Sequence, residues 1–281
     1  SYLNLGIFDK AIKSFQNTLN EIDSKTNLST PWQLNKAEIQ AYLGLSLSLN
    51  YFHRQAQTAD GYTEINAALN TANALSDDQL VSEVLYLLGS YYSAKQQWLE
   101  TIATLDIALE YINKAQTKDN LVGIYNQKAI AHRQLNQYAK SLDNYREAIN
   151  HIPAGDRNTK ANVYNNIAAI YEFLGDLNKA KRYFENSLNE YVVFESLYGQ
   201  AMAKKALGRI YRKQNNYAKA IELHQQSIEY FKQDKESSYL ETYIELSMDY
   251  YANQEFATSE IIAIKVLLLS HISNLSQHHL D

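Results

Sequence analysis

One motif recurs along this chain at intervals of about forty residues, and it constrains the fold more than any other feature. The segments NIAAIYEFLGDLNKAKRYFENSLNEY (166–191) and ALGRIYRKQNNYAKAIELHQQSIEYF (206–231) share one register. Each runs apolar, small, two variable positions, Tyr. A polar break follows, then an aromatic or Leu, a small residue, an aromatic or His, and a further small–apolar pair. Apolar positions three and four apart on both sides of a break are what two amphipathic helices folded into a hairpin produce. A fixed period is what stacking such hairpins produces, because no single hairpin buries its own apolar face.

The first-helix cue is Leu85, Leu88, Gly89, Tyr92. It returns as Tyr125, Lys128, Ala129, His132, then as Tyr164, Ile167, Ala168, Tyr171, then as Lys204, Leu207, Gly208, Tyr211, and last as Tyr243, Leu246, Ser247, Tyr250. A weaker copy is Leu43, Gly44, Leu47. The second-helix cue pairs Ala11 with Phe15, Thr101 with Leu105, Ser141 with Tyr145, Ala180 with Phe184, Ala220 with His224 and Ser259 with Ala263. This order of a large residue, Leu-Gly, Tyr, then Ala and Phe resembles the tetratricopeptide repeat. The small-residue column advances by 45, 40, 39, 40 and 39 residues, against about 34 in the typical repeat. The longer period is similar to that of bacterial signalling proteins and kinesin-light-chain-like adaptors. The resemblance implies an all-α, right-handed α-solenoid of antiparallel helix hairpins.

Small residues let helices approach, and the neighbouring Tyr or Leu fills the groove, ridge into groove. Counting columns, we expect about thirteen helices in one solenoid over 1–273. Residues 1–28 are the remnant of a first repeat, six full repeats follow, and 274–281 form a short frayed tail. The 45-residue step marks 51–65 as irregular, with Gly61 interrupting the helical pattern. Thr30-Pro31 reads as an N-cap followed by proline at the first helical position. Pro153 reads as a helix stop, Gly175-Asp176 as a break between paired helices, and Ser76-Asp77-Asp78 as a helix start. The chain enters mid-repeat, which points to a longer protein.

Composition removes several function classes. With 46% hydrophobic and 20% charged residues the chain is globular and not disordered. There is no cysteine, so disulfides, thiolate catalysis and Cys-type metal sites are excluded, and either redox compartment is permitted. The longest apolar run, 261–269, is too short to span a bilayer and carries Lys265. A net charge of −5 argues against direct nucleic-acid binding. No glycine-rich phosphate loop and no H-E-x-x-H occur, so neither a catalytic site, a cofactor nor a metal is expected. His278-His279 reads as a terminus rather than a metal site, and His132 and His224 as core residues at aromatic positions. Most of the tyrosines fall in the packing columns.

One constellation stands apart. At 100° per residue, Lys205, Arg209 and Arg212 form a stripe on a first helix, away from the Leu207–Tyr211 side. The preceding repeat places Asn162, Asn165 and Glu172 there with Asn166 at the edge, and the one before it Asn126 and Arg133 with Gln127 at the edge. An amide can pair both a donor and an acceptor of a peptide bond, and Arg can grip a carboxylate bidentately. In tetratricopeptide domains this stripe lines the concave groove, and Asn166 sits where the resemblance implies a backbone-clamping Asn of chaperone-tail-binding members. The expected function is a non-catalytic protein- or peptide-binding scaffold, the recognition or sensory part of a larger bacterial regulator, taking an acidic or carboxylate-bearing segment. The alternative is a receptor for a small signalling peptide or metabolite that changes solenoid curvature. Ile261, Ile262, Ile264, Val266, Leu267, Leu268 and Leu269 exceed what one hairpin needs, which makes the last helix a docking edge and allows a weak homodimer.

Overall fold

The computed structural model describes residues 8–25, 28–54, 60–234 and 238–277. Thirteen α-helices and no strand occur among them. The chain divides into two compact units, 1–151 and 152–281.

In the first unit, α1 (Phe8–Asp23) packs on α2 (Thr30–Arg54). Three antiparallel hairpins follow: α2 with α3 (Tyr62–Ala74), α4 (Asp78–Ala94) with α5 (Trp98–Ala115), and α6 (Leu121–Gln134) with α7 (Tyr138–His151). The second unit holds α8 (Arg157–Phe173) with α9 (Leu177–Val193), α10 (Leu197–Lys213) with α11 (Tyr217–Asp234), and α12 (Ser238–Ala252) with α13 (Phe256–Gln277). Within each unit the second helix of one hairpin packs on the first helix of the next.

The columns are the core. Gly44, Gly89, Ala129, Ala168 and Gly208 are buried, and facing them Leu105, Tyr145, Phe184 and His224 are almost wholly so. A Cβ on Gly89 would lie 2.5 Å from Leu105, and one on Gly208 2.5 Å from His224 Nε2, so each glycine marks a contact where no side chain fits. Where the column holds Ala129, Ser141 Oγ donates to its carbonyl at 2.6 Å. Ser187 and Ser227 repeat one bond, donating to the Ala161 and Ala201 carbonyls at 2.9 Å. Ala263, at the equivalent place on α13, is exposed.

The punctuation expected from the sequence is largely present. Asp77 and Asp176 cap α4 and α9, accepting from the Leu80 and Lys179 N–H groups. Gly61 adopts φ 81°, and a Cβ there would meet the Gly44 carbonyl oxygen, so α2 and α3 touch backbone to backbone. One start is shifted. Ser29, not Thr30, caps α2, since its carbonyl accepts from Trp32 and Gln33. Pro31 is thus the second helical residue, which costs nothing because first-turn N–H groups have no helical acceptor. Residues 55–59 of the irregular 51–65 segment, and His278-His279 with the end of the 274–281 tail, lie outside the described residues.

The turns inside the hairpins share a device. Gln96, Asn136, Gly175, Asn215 and Gln254 all adopt positive φ. The N–H after each bonds back to the carbonyl of Tyr92, His132, Tyr171, Tyr211 and Tyr250 respectively. This is the Schellman closure, and its acceptor is the Tyr or His of the first-helix cue.

Candidate functional site

In the second unit the predicted polar stripe runs along one face of α8, through Asn162, Asn165 and Glu172. Tyr191 donates to Asn162 Oδ1 at 2.6 Å. Asn165 and Asn166 are half-buried, and their side-chain amides make no hydrogen bond among the described residues.

The stripe continues onto α10 through an ion pair. Arg209 donates to both oxygens of Glu172, at 3.4 and 3.1 Å, and Lys213 reaches the same carboxylate at 2.7 Å. Burial pushes the Glu172 carboxyl upward, but the hydrogen bonds and charges of Arg209 and Lys213 outweigh it and hold its pKa below the usual range. Lys205 and Arg212 turn the other way, toward α12. Lys205, 6% exposed, meets Glu241 at 3.0 Å. Arg212 Nη1 donates to Asp249 at 2.8 Å and to the Glu245 carbonyl at 2.9 Å, while Nη2 reaches the Glu245 carboxylate at 2.5 Å. Burial opposes the Arg212 charge, and the two carboxylates reverse that, raising its pKa.

All three cations of the stripe thus already hold a carboxylate of the protein. The physical reason is the period. Partners sit 33 to 41 residues apart, one repeat away, so opposite charges at like positions meet across neighbouring hairpins. That spacing was the sequence signal for Glu241, Glu245 and Asp249, which stripe reasoning missed. His224 was expected in the core and is fully buried there. Its Nε2 donates to the Lys205 carbonyl at 3.0 Å, and its Nδ1 faces the Asp249 carboxylate. Likewise His132 is buried, with Nδ1 2.8 Å from Gln137.

In the first unit the stripe lies on α6. Gln127 donates Nε2 to Ser90 on α4 at 2.6 Å, while its Oε1 is buried without a partner. Asn126 and Arg133 are half-buried, and their side chains make no hydrogen bond or ion pair among the described residues. The Arg133 charge is felt by Tyr145, whose hydroxyl is buried unpartnered and pushed up to about 12 by burial. No group of three acidic, Cys or His side chains able to hold a metal occurs among the described residues, and no described helix is long and apolar enough to cross a membrane.

Two segments, 122–153 and 159–233, match the tetratricopeptide repeat family. No curated protein matches the chain by sequence. Among solved structures the chain is similar to apo RapI, with a TM-score of 0.73 at 13% identity over 92% of this chain and 75% of that one. It is similar to a Signal Transduction ATPase with Numerous Domains protein with a tetratricopeptide repeat sensor, from Pyrococcus horikoshii, with a TM-score of 0.77 at 17% identity over 96% of this chain and 40% of that one. A Rap protein complexed with Competence and Sporulation Factor aligns with a TM-score of 0.61 at 12% identity, over 95% and 72%. At these identities the likeness is one of fold. Residues 122–153 and 159–233 thus match the tetratricopeptide repeat, and the described helices share the hairpin-repeat fold of these solved structures.

Proposed function

We propose that this chain is a non-catalytic scaffold whose first-helix faces hold an extended protein or peptide segment, as the recognition or sensory module of a larger bacterial signalling or regulatory protein. The observation that carries this reading is the adjacent pair Asn165 and Asn166, half-buried on α8, whose side-chain amides have no hydrogen-bond partner among the described residues. Each amide matches the donor and acceptor of one peptide unit. Asn126 holds the same repeat position on α6. Because Lys205, Arg209 and Arg212 are neutralised internally, the segment is gripped through its backbone first.

A second reading, a small signalling peptide or metabolite whose binding alters how the hairpins stack, draws on the likeness to a Rap protein complexed with Competence and Sporulation Factor.

Both readings are tested by selecting peptides from a random display library on the immobilised chain. Asn165→Ala with Asn166→Ala should weaken the selected peptides roughly tenfold, about 1.4 kcal/mol, with unchanged thermal unfolding. Peptides that bind the double variant as tightly as the wild type would overturn the site. Replacement of the peptide by a small metabolite as the only binder would favour the second reading.

A further inference from the structure

The last hairpin presents an apolar face. On α13, Ile261, Ile264, Leu267 and Leu268 fall on one broad arc, while Ile262 and Val266 on the opposite side pack against Ile228, Tyr243 and Leu246. On α12, Ile244 and Met248 join Leu267 in lining an open cavity of about 340 Å³, floored by Ser247 and Ala263. Those six apolar residues are between 48 and 69% exposed.

The repeat shows what kind of element belongs there. One period earlier, Ile228 stands where Leu267 stands on α13, and it is 4% exposed because Tyr243 and Leu246 of α12 cover it. The covering element is a helix with an apolar face. An α-helix apolar on both sides needs cover on both. At roughly 150 Å² for each fully exposed aliphatic side chain, the low end of the aromatic range, the six residues offer on the order of 500 Å². Two such faces bury about 1,000 Å², the lower bound of a specific interface, and each lies in the upper range of surface patches.

We infer that this face is the contact surface between two copies of the chain, related by a two-fold axis. The face carries both halves of its own complement: a ridge, Ile264, Leu267 and Leu268, and beside it the cavity between α12 and α13. A two-fold places the ridge of each copy in the cavity of the other, which is the requirement of an isologous contact. The occupant needs an apolar helical ridge, and α13 supplies one. The surface is separate from the Asn165–Asn166 stripe, so peptide binding and self-association can fail independently.

Sedimentation velocity over a wide concentration range tests this on the whole chain. The wild type should move from the mass of one chain to that of two as concentration rises. Leu267→Glu, and separately Leu268→Lys, should remain single at every concentration with the wild-type circular dichroism and melting temperature. Both side chains are already exposed, so folding does not depend on them. Wild-type chain that stays single throughout would overturn the inference, as would variants that pair like the wild type.

Discussion

Replacing Gly208 by alanine tests the packing column at its most constrained point. In an exposed helix interior, alanine is better than glycine by about 1 kcal/mol. Here the new Cβ would sit 2.5 Å from His224 Nε2, 2.6 Å from Cε1 and 2.8 Å from Cδ2. The imidazole cannot swing aside without loss, because the Lys205 carbonyl and the Asp249 carboxylate hold its two nitrogens and the ring is fully buried. Overpacking costs roughly 1–3 kcal/mol, and freeing a buried donor and acceptor adds about 1–3 kcal/mol. Set against the helix gain, the net loss is about 3 kcal/mol, a fall in melting temperature of roughly 6–12 °C. Two internal controls bracket it. At Gly89 the Cβ would lie 2.5 Å from Cδ2 and 2.8 Å from Cγ of Leu105, a buried side chain with no hydrogen bond to lose, so Gly89→Ala should carry only the overpacking cost, net about 1 kcal/mol. At Gly155 nothing lies within 4 Å, so alanine there should stabilise by about 0.5 kcal/mol. Urea unfolding followed by circular dichroism ranks the three. Gly208→Ala with a midpoint at or above wild type would refute the reasoning.

Further outcomes follow from the same geometry. Gln96→Gly should raise the urea midpoint, since a left-handed non-glycine residue costs roughly 1 kcal/mol; no change would mean the Schellman turn carries no strain. Phe184→Ala, at a side chain 1% exposed, should cost about 3–5 kcal/mol and be visible as lost exchange protection in α8–α11. Glu172 has a folded pKa below its unfolded value of about 4.3, so its contribution is present above that pH and is lost as pH falls through the lower folded value. Glu172→Gln should therefore reduce stability at neutral pH and flatten the acid limb of the stability profile; an acid limb of unchanged steepness would assign it to other carboxylates.

What was legible in the sequence was the periodic part. The hairpins and the burial of Leu105, Tyr145, Phe184 and His224 follow from apolar spacing, which any helical repeat must display to stack. The turns were less so. Only Gly175 announces a left-handed residue; at the same place Gln96, Asn136, Asn215 and Gln254 adopt that conformation because the closing bond to the first-helix Tyr or His carbonyl over-determines it. Least legible was the site. Stripe geometry put Lys205, Arg209 and Arg212 together, but one helix cannot reveal which charges face it from the next. His224 illustrates the limit. Its column said aromatic core, and its chemistry is set by Asp249, 25 residues away on α12.

The ion pairs give the polar stripe a second purpose, and it bears on how a ligand is held. Arg133, Glu172 and Arg212 occupy one repeat position with alternating sign. Within the second unit that alternation lets Glu172 take Arg209 and Lys213 from the following first helix, and lets Arg212 take Glu245 and Asp249 from the one after. Apolar columns alone would tolerate a slipped stack, since small and aromatic residues recur along each helix. A buried pair broken by slippage leaves a charge without a partner, at about 3–5 kcal/mol, so the pairs set register more than they add stability. The Asp249 carboxylate, fully buried between Arg212 and His224, is the most register-specific of them. A ligand carboxylate reaching Arg209 or Arg212 must displace a protein carboxylate and loosen the stacking of neighbouring hairpins. A ligand held by Asn165 and Asn166 need not. Backbone capture by the amides is thus compatible with a rigid scaffold, while salt-bridge capture at the arginines would couple binding to movement between hairpins.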